Sequence, residues 1–398
     1  MKIGIVCAPT YGGSGVVATE VGRFLARRGH EVHFISSEVP FRLLHDPEAN
    51  VRFHEVQTLE YPVLNGNLYG IALASKIIQV AQETGLEIIH AHYAIPHTIS
   101  AFLAREAANG GLARPLKVVT TLHGTDITLV GQAASFFPVA RYAINASDAV
   151  TSVSQWLKDE TVRVFDIKRP IEIIPNFVDV AKFRRGLTPC KRSVFAPNGE
   201  KIALHISNFR PVKRIEDVVR IFARIRQEVP TVLVMVGDGP DRDRAAHLAC
   251  RLGISHDVHF LGKQDAIEIF MSCADLFLFP SEYESFGLAA LEAMACEIPV
   301  VASASGGLNE VIRHGETGFL APVGDVDAMA ALGVRVLRDE ALAHRIGQAA
   351  RQEVHDLYLQ DIIIPQYERL YERVLAGSYM VAPKSESRET TYQFADGI

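Results

Sequence analysis

The chain has 398 residues, 48% of them hydrophobic, with 29 glycines and 19 prolines. That length and composition suit two globular domains of about 150 to 200 residues around a cleft, and exclude a disordered, collagenous or fibrous chain. Forty Lys and Arg against 46 Asp and Glu leave a net charge of −6, so there is no bulk positive field to hold nucleic acid or an anionic membrane, and any phosphate binding must be local.

The opening MKIGIVCAPTYGG reads as a strand and not as a secretory leader, because the apolar run stops at Pro9 with no small-residue cleavage site. No stretch approaches the roughly 18 apolar residues of a membrane span, and a cytoplasmic protein is expected. Cys7, Cys190, Cys250, Cys273 and Cys296 form no CxxC pair, which points to reduced thiols and away from a disulfide framework or a zinc site.

Through residue 178, short β-branched runs (KIGIVCA, HEVHFIS, VRFHEVQ, EIIHAH, KVVTTLHG) alternate with longer amphipathic ones, the pattern of βαβ units and a parallel sheet. In the first helix Val17, Val21, Phe24 and Leu25 form an apolar stripe, Arg23, Arg27 and Arg28 take the other face, and Gly29 stops it. Residues 179–200 lose both periodicities and read as an interdomain connection. A second βα series fills 201–358, a last helix is predicted over about 359–376, and the aperiodic tail 377–398 is expected to be poorly ordered. The fold class is thus α/β, two doubly wound parallel-sheet domains whose ligands belong at the carboxyl ends of the strands.

Four motifs fall at such ends. YGGSGVVATE (11–20) leads glycines into a helix, where amides and the helix dipole favour an anion. Gly13, Gly15 and Ala18 also fit G-x-G-x-x-A, with Glu38 where a ribose acid would sit, so a dehydrogenase stays open; against it, residues 8–12 intervene between strand and helix. A purely structural glycine turn is the third reading. SNFRPVKR (207–214) can aim Arg210 and Lys213 at one developing phosphate anion, while Arg214 is assigned to solvent; a plain basic helix start is disfavoured because cations oppose the dipole there unless an anion binds.

In SEYESFGLAALEAMACEIPVVAS (281–303) the amides of Ser285, Phe286, Gly287 and Leu288 open a helix and can hold a diphosphate; Glu292, two turns down, can accept from a ribose diol. HAHY (90–93) and HGTD (123–126) lack the spacing of a zinc site. His123 is read as a hydrogen-bonding partner of a substrate hydroxyl and His90 as a structural histidine. Tyr93 and Arg141 could hold the carboxylate of a small acid, with a surface salt bridge as the alternative for Arg141.

Taken together GGSG, HGTD, SNFRPVKR, GDGP (237–240), LGKQD (261–265) and ESFGLAALE resemble the retaining glycosyltransferases of family 4, and the match spans most of the chain. The resemblance implies the GT-B fold, two Rossmann-like domains facing a central cleft, with residues 1–178 plus the last helix presenting the acceptor and 201–358 holding a nucleotide sugar. The runs SSEVPFRL, LASKI, IIHAHYAIPH, TTLHGTDIT and ISNFRPVKR are similar to a branch that moves N-acetylglucosamine from UDP-N-acetylglucosamine to the hydroxyl of L-malate with retention, the first step of bacillithiol biosynthesis. No metal and no other cofactor is implied.

Carried over by this resemblance, Gly13 and Ser14 lie against donor phosphates or acceptor, and Arg210 and Lys213 on the diphosphate. Glu284 takes the hexose hydroxyls, Ser285 to Leu288 the sugar and phosphate, Glu292 the ribose, Gly262 and Lys263 the uracil, and His123 the sugar near its 6-hydroxyl. Tyr93, Thr125, Arg141 and Asn208 form the acceptor pocket, with Arg42 a weaker candidate. Competing readings are another family 4 enzyme with a different small acceptor, a UDP-sugar 2-epimerase on the same fold, and the dehydrogenase. The oligomeric state is left open.

Overall fold

A computed structural model of the chain describes residues 1–10, 12–43, 48–58, 68–108, 110–112, 114–186 and 192–379. Cys190, the middle of the connection (187–191) and the tail from 380 lie outside the described residues.

The first sheet has seven parallel strands, β1 (Lys2–Val6), β2 (Glu31–Ser36), β3 (Val51–Glu55), β4 (Ile88–His92), β5 (Lys117–Leu122), β6 (Ala149–Ser152) and β7 (Glu172–Ile173), in the order β3-β2-β1-β4-β5-β6-β7. The second has six, β8 (Lys201–Ile206), β9 (Thr231–Val236), β10 (Val258–Phe260), β11 (Leu276–Phe279), β12 (Val300–Ser303) and β13 (Phe319–Ala321), in the order β10-β9-β8-β11-β12-β13. Strands such as β9 and β11 are buried along their whole length, as the central strands of a parallel sheet covered on both faces must be.

In each sheet the order reverses beside the first strand: between β1 and β4, and between β8 and β11. Helices leave opposite faces of the sheet at such a point, which opens a crevice over the strand ends. GGSG follows β1 and HAHY ends β4; SNFRPVK follows β8 and SEYESFG follows β11. These four segments therefore sit on the two switch points, while HGTD follows β5, the next strand along.

The first helix, Gly13–Arg27, buries Val17, Val21 and Leu25. It corrects one expectation: Arg23 is buried, not turned to solvent, and lies against Glu20 (3.4 Å) and Glu48 (3.8 Å). A guanidinium is accommodated there because carboxylates meet it inside the fold.

The helix Gln360–Leu375 packs on the first domain, and Ile363, Ile364, Tyr367, Tyr371 and Val374 share a core with Ile3, Ile5, Val21 and Phe34. Glu368 pairs with Arg28 and His30, each at 2.9 Å. Tyr371 shares a 2.7 Å hydrogen bond with His90 Nδ1, and His90 Nε2 lies 2.6 Å from Thr121 Oγ1, so His90 is satisfied on both sides. The start of the expected tail is not loose: Tyr379 is buried and donates to the carbonyls of Val150 and Pro170.

The chain crosses between the sheets twice, side by side. Val178 N donates to Tyr358 O at 3.0 Å, and Val178 forms a bridge with Leu359. Tyr371→Phe removes one buried hydroxyl while leaving its ring in place, and should lower the unfolding free energy in urea by about 1–2 kcal/mol with the far-UV spectrum unchanged; an unaltered transition midpoint would show that the bond contributes nothing.

Candidate active site

On the second domain the loop after β8 is pinned by Phe209, which is buried with φ +39°. Arg210 follows, exposed, at the start of the 3-10 turn Pro211–Lys213. Lys213 Nζ lies 2.5 Å from Glu284 Oε1 and 5.5 Å from the centre of the Phe279 ring. Glu284 is buried. Its loop is cradled from below: Gly307 N donates to Glu284 O, and a side chain at Gly306 would stand 2.2 Å from that carbonyl. Gly287, with φ +96°, turns the chain into the helix Leu288–Ala295, a backbone state that glycine adopts without strain. Gly237 N donates to Gly262 O, so GDGP and LGKQD lie together beside the β8 loop. Asn208 and Lys263 are exposed there.

On the first domain Tyr93 has φ +93° and stands beside Ser14 and Thr125. Burial pushes its hydroxyl above the usual range, opposed by the Ser14 and Thr125 side chains and by the Arg210 charge from the other domain. Asp126 accepts from the amides of Ala94, His123 and Gly124; burial lifts its carboxyl to about 6 against their pull. His123, half-buried, shares a 2.8 Å hydrogen bond through Nε2 with His92 Nδ1. Burial pushes it down to about 3, with a further push from His97, so it is neutral near pH 7.

The two faces touch. Gly124 lies so close to Ser285 that a side chain there would fall 1.7 Å from Ser285 Oγ. Ser154 Oγ, which caps the helix Gln155–Phe165, donates to Ser285 O at 2.6 Å. Glu310 accepts from the first two amides of that helix, Gln155 N at 2.8 Å and Trp156 N at 2.7 Å, an anion at the positive end of a helix dipole. At the other end of the cleft Arg42 reaches from the first domain to Glu292 (3.1 Å) while holding Glu20 (3.2 Å). Burial raises the Glu292 carboxyl and Arg42 opposes it. The space left among Arg42, Phe177, Phe183, Leu288 and Glu292 is ≈ 10 Å³, so the domains are closed on one another here.

The structure therefore brings Ser14, Tyr93, Thr125 and His123 to one wall, where a side chain added at Gly13 would stand 4.0 Å from Leu288, and sets Arg210, Lys213, Glu284 and Ser285 opposite. It does not bring Arg141 to them: Arg141 pairs with Asp166 at 3.1 Å on the exterior. Phe286 turns its ring into the core against Tyr358, leaving only its backbone for a ligand. Glu292 faces Arg42, which the sequence offered only as a weaker acceptor residue. Ser154, Glu310 and the His92 partner of His123 were missed. Ser154 carries a helix-cap signal, but nothing local marks Glu310 as its neighbour. Among the described residues no cluster of three or more His, Cys, Asp or Glu is arranged to hold a metal ion, and no helix is long and apolar enough to cross a membrane.

Known proteins match the chain along its length. Residues 11–182 match the glycosyltransferase family 4 model and residues 190–353 the model of glycosyl transferases group 1. The N-acetyl-alpha-D-glucosaminyl L-malate synthase of Bacillus anthracis is 46% identical over 94% of this chain and 97% of its own. The D-inositol 3-phosphate glycosyltransferase of Mycobacterium marinum is 28% identical over 83% of this chain and 74% of its own. Among solved structures, sucrose-phosphate synthase from Thermosynechococcus elongatus superposes with a TM-score of 0.78 at 23% identity, covering 95% of this chain and 100% of that one. Anabaena HepE, solved with UDP and glucose, gives 0.78 at 22% identity, covering 94% and 99%; these two bear on the fold.

Removing the Glu310 carboxylate tests the closure. Glu310→Ala strips charge-assisted bonds of about 1.5–3 kcal/mol each, so the closed-to-open ratio should fall at least about tenfold and the radius of gyration in small-angle scattering should rise; an unchanged scattering curve would place the closure elsewhere.

Proposed function

The chain belongs to the family 4 glycosyltransferases, and from that premise we propose that it transfers N-acetylglucosamine from UDP-N-acetylglucosamine to the hydroxyl of L-malate, the step with which bacillithiol assembly begins. The observation that carries this reading is the 46% identity, over nearly the whole of both chains, to the synthase that bears that activity in its name. The GT-B fold and the four motifs at the two switch points support it.

In this reading negative charge grows on the β-phosphate of UDP as the anomeric bond breaks, and Arg210 and Lys213 stabilise it more in the transition state than in the ground state. Lys213 is held ready by Glu284 at 2.5 Å. A carboxylate between that cation and the sugar orients hydroxyls and keeps the ammonium in register. The acceptor hydroxyl attacks from the face that the phosphate leaves, and the phosphate oxygen takes its proton. Retention then needs no carboxylate nucleophile of the kind used by retaining hydrolases. The two cations take the part that a divalent ion would play.

Donor binding changes the partners of several groups. A ribose diol on Glu292 competes with Arg42, and the uridine end requires the closed cleft to open first. For the acceptor, the Ser14–Tyr93–Thr125 hydroxyl cluster offers hydrogen bonds, and Arg210 faces it across the cleft. Arg141 joins it only by leaving Asp166. Both side chains are largely exposed, at 46% and 73%, and pairs of that kind contribute about 0–1 kcal/mol, so a dicarboxylate can outcompete Asp166.

Two measurements bear on this. Incubation of the protein with UDP-N-acetylglucosamine and malate in excess EDTA should give a malate adduct of one N-acetylhexosamine by mass spectrometry; UDP release without that adduct, or a requirement for added metal, would overturn the acceptor or the metal-free part respectively. Lys213→Ala should lower kcat by about 100-fold or more, in the range seen when a preorganised charge donor is removed, with a much smaller change in the KM for malate.

A further inference from the structure

Four histidines crowd the ends of β4 and β5. His90 and His92 have ring centres 4.3 Å apart, and those of His92 and His123 are 5.1 Å apart. His90 is satisfied at both nitrogens, and His97 Nδ1 shares a 2.5 Å hydrogen bond with the His92 carbonyl, which can only accept. His92 is the exception. Its side chain is wholly buried, its Nδ1 lies 2.8 Å from His123 Nε2, and its Nε2 is buried with no partner.

A neutral pair of imidazoles 2.8 Å apart shares one proton on the line between them, and this leaves two arrangements. In one, His123 Nε2–H donates to His92 Nδ1. The remaining proton of His92 must then sit on Nε2, as an orphaned buried N–H. In the other, His92 Nδ1–H donates to His123 Nε2, His92 Nε2 is a bare acceptor, and His123 carries its proton on Nδ1. Among backbone groups an orphaned buried N–H is the rarer defect compared with an under-satisfied acceptor, and the same preference carried to the imidazole favours the second arrangement. Burial, and the neighbouring histidines, push His92 well below the ordinary imidazole range and keep it from adding a second proton.

We propose that His92 is a positioning residue for sugar transfer: by donating Nδ1–H to His123 Nε2 it holds His123 in the Nδ1–H tautomer, so that His123 meets the substrate as a hydrogen-bond donor. Such a His123 gives a hydrogen bond to a sugar or acceptor oxygen and takes no proton from it. This rests on the reading of the HGTD loop as part of the transfer site, but the tautomer is a property of the ligand-free protein.

The test begins with the full chain labelled with ¹⁵N-histidine, its long-range ¹H–¹⁵N correlations assigned to His123 through a His123→Gln variant. The expected spectrum shows His123 protonated at Nδ1 with an accepting Nε2; a His123 protonated at Nε2 overturns the proposal. His92→Leu should shift His123 towards the other tautomer and lower kcat by roughly 10- to 100-fold, as loss of an orienting partner does in metal sites, with the KM for UDP-N-acetylglucosamine within about threefold. His92→Asn, whose amide can donate from the place of Nδ1, should recover most of kcat, whereas His92→Gln should not. A His92→Leu enzyme with unchanged kcat and His123 spectrum overturns the proposal. Should that variant fail to fold, the wild-type spectrum and the Asn-to-Gln contrast decide. Absence of transfer by the wild type would instead count against the proposed acceptor or donor, with the tautomer still read from the spectrum.

Discussion

The carboxylate of Glu310 on the bare amides of Gln155 and Trp156 is the contact on which the site's assembly depends. Neither domain carries a complete site. The first offers hydroxyls and neutral imidazoles, the second cations and free backbone amides, and they cooperate only when held a few ångströms apart. Glu310 supplies that hold with groups that no helix can satisfy internally. Its neighbour Ser154 extends the effect by fixing the carbonyl of Ser285, a residue of the loop that opens the helix Leu288–Ala295. Closure and loop geometry are thus coupled through one helix end.

Charge follows the same logic of local concentration. An acidic protein that handles a diphosphate must gather cations where they count, and two of the cations in this cleft are paired with carboxylates. Lys213 sits on Glu284, and Arg42 on Glu292 and Glu20. These pairs keep buried cations and anions tolerable in the closed state. Exchange of partners between pair and ligand costs less than exposing a lone buried charge.

Much of this was legible in the sequence because it is local. The alternation of periods predicts both sheets, and the apolar run of β11 followed by Pro280, Glu284 and Gly287 marks a strand, a turn and a helix start that the structure reproduces. What was not legible is nonlocal. Arg23 has the spacing of a solvent face, yet carboxylates at Glu20 and Glu48 draw it inside. Tyr379 belongs to an aperiodic tail, yet finds two carbonyls in the first domain. His92 looks like any buried strand residue, and its significance depends on the one nitrogen left without a partner. The GT-B resemblance named Lys213, Glu284 and Ser285, which the structure sets on one wall of the cleft. The acceptor face was less secure, since Arg141 carries the same local pattern whether it meets a ligand or Asp166.

The paired crossing at Val178 and Tyr358–Leu359 bears on how such a chain is built. Because the last helix returns to the first domain, the half built on the second sheet is topologically a cassette inserted into a single host, with its entrance and exit tied together by the amide of Val178 and the carbonyl of Tyr358. Its two ends are already neighbours. The host can therefore be closed over the gap with a short splice, and a different cassette can be grafted at the same seam. In a chain of this topology, the two halves of the cleft are separable by recombination at one point in space, although that point lies at two distant places in the gene.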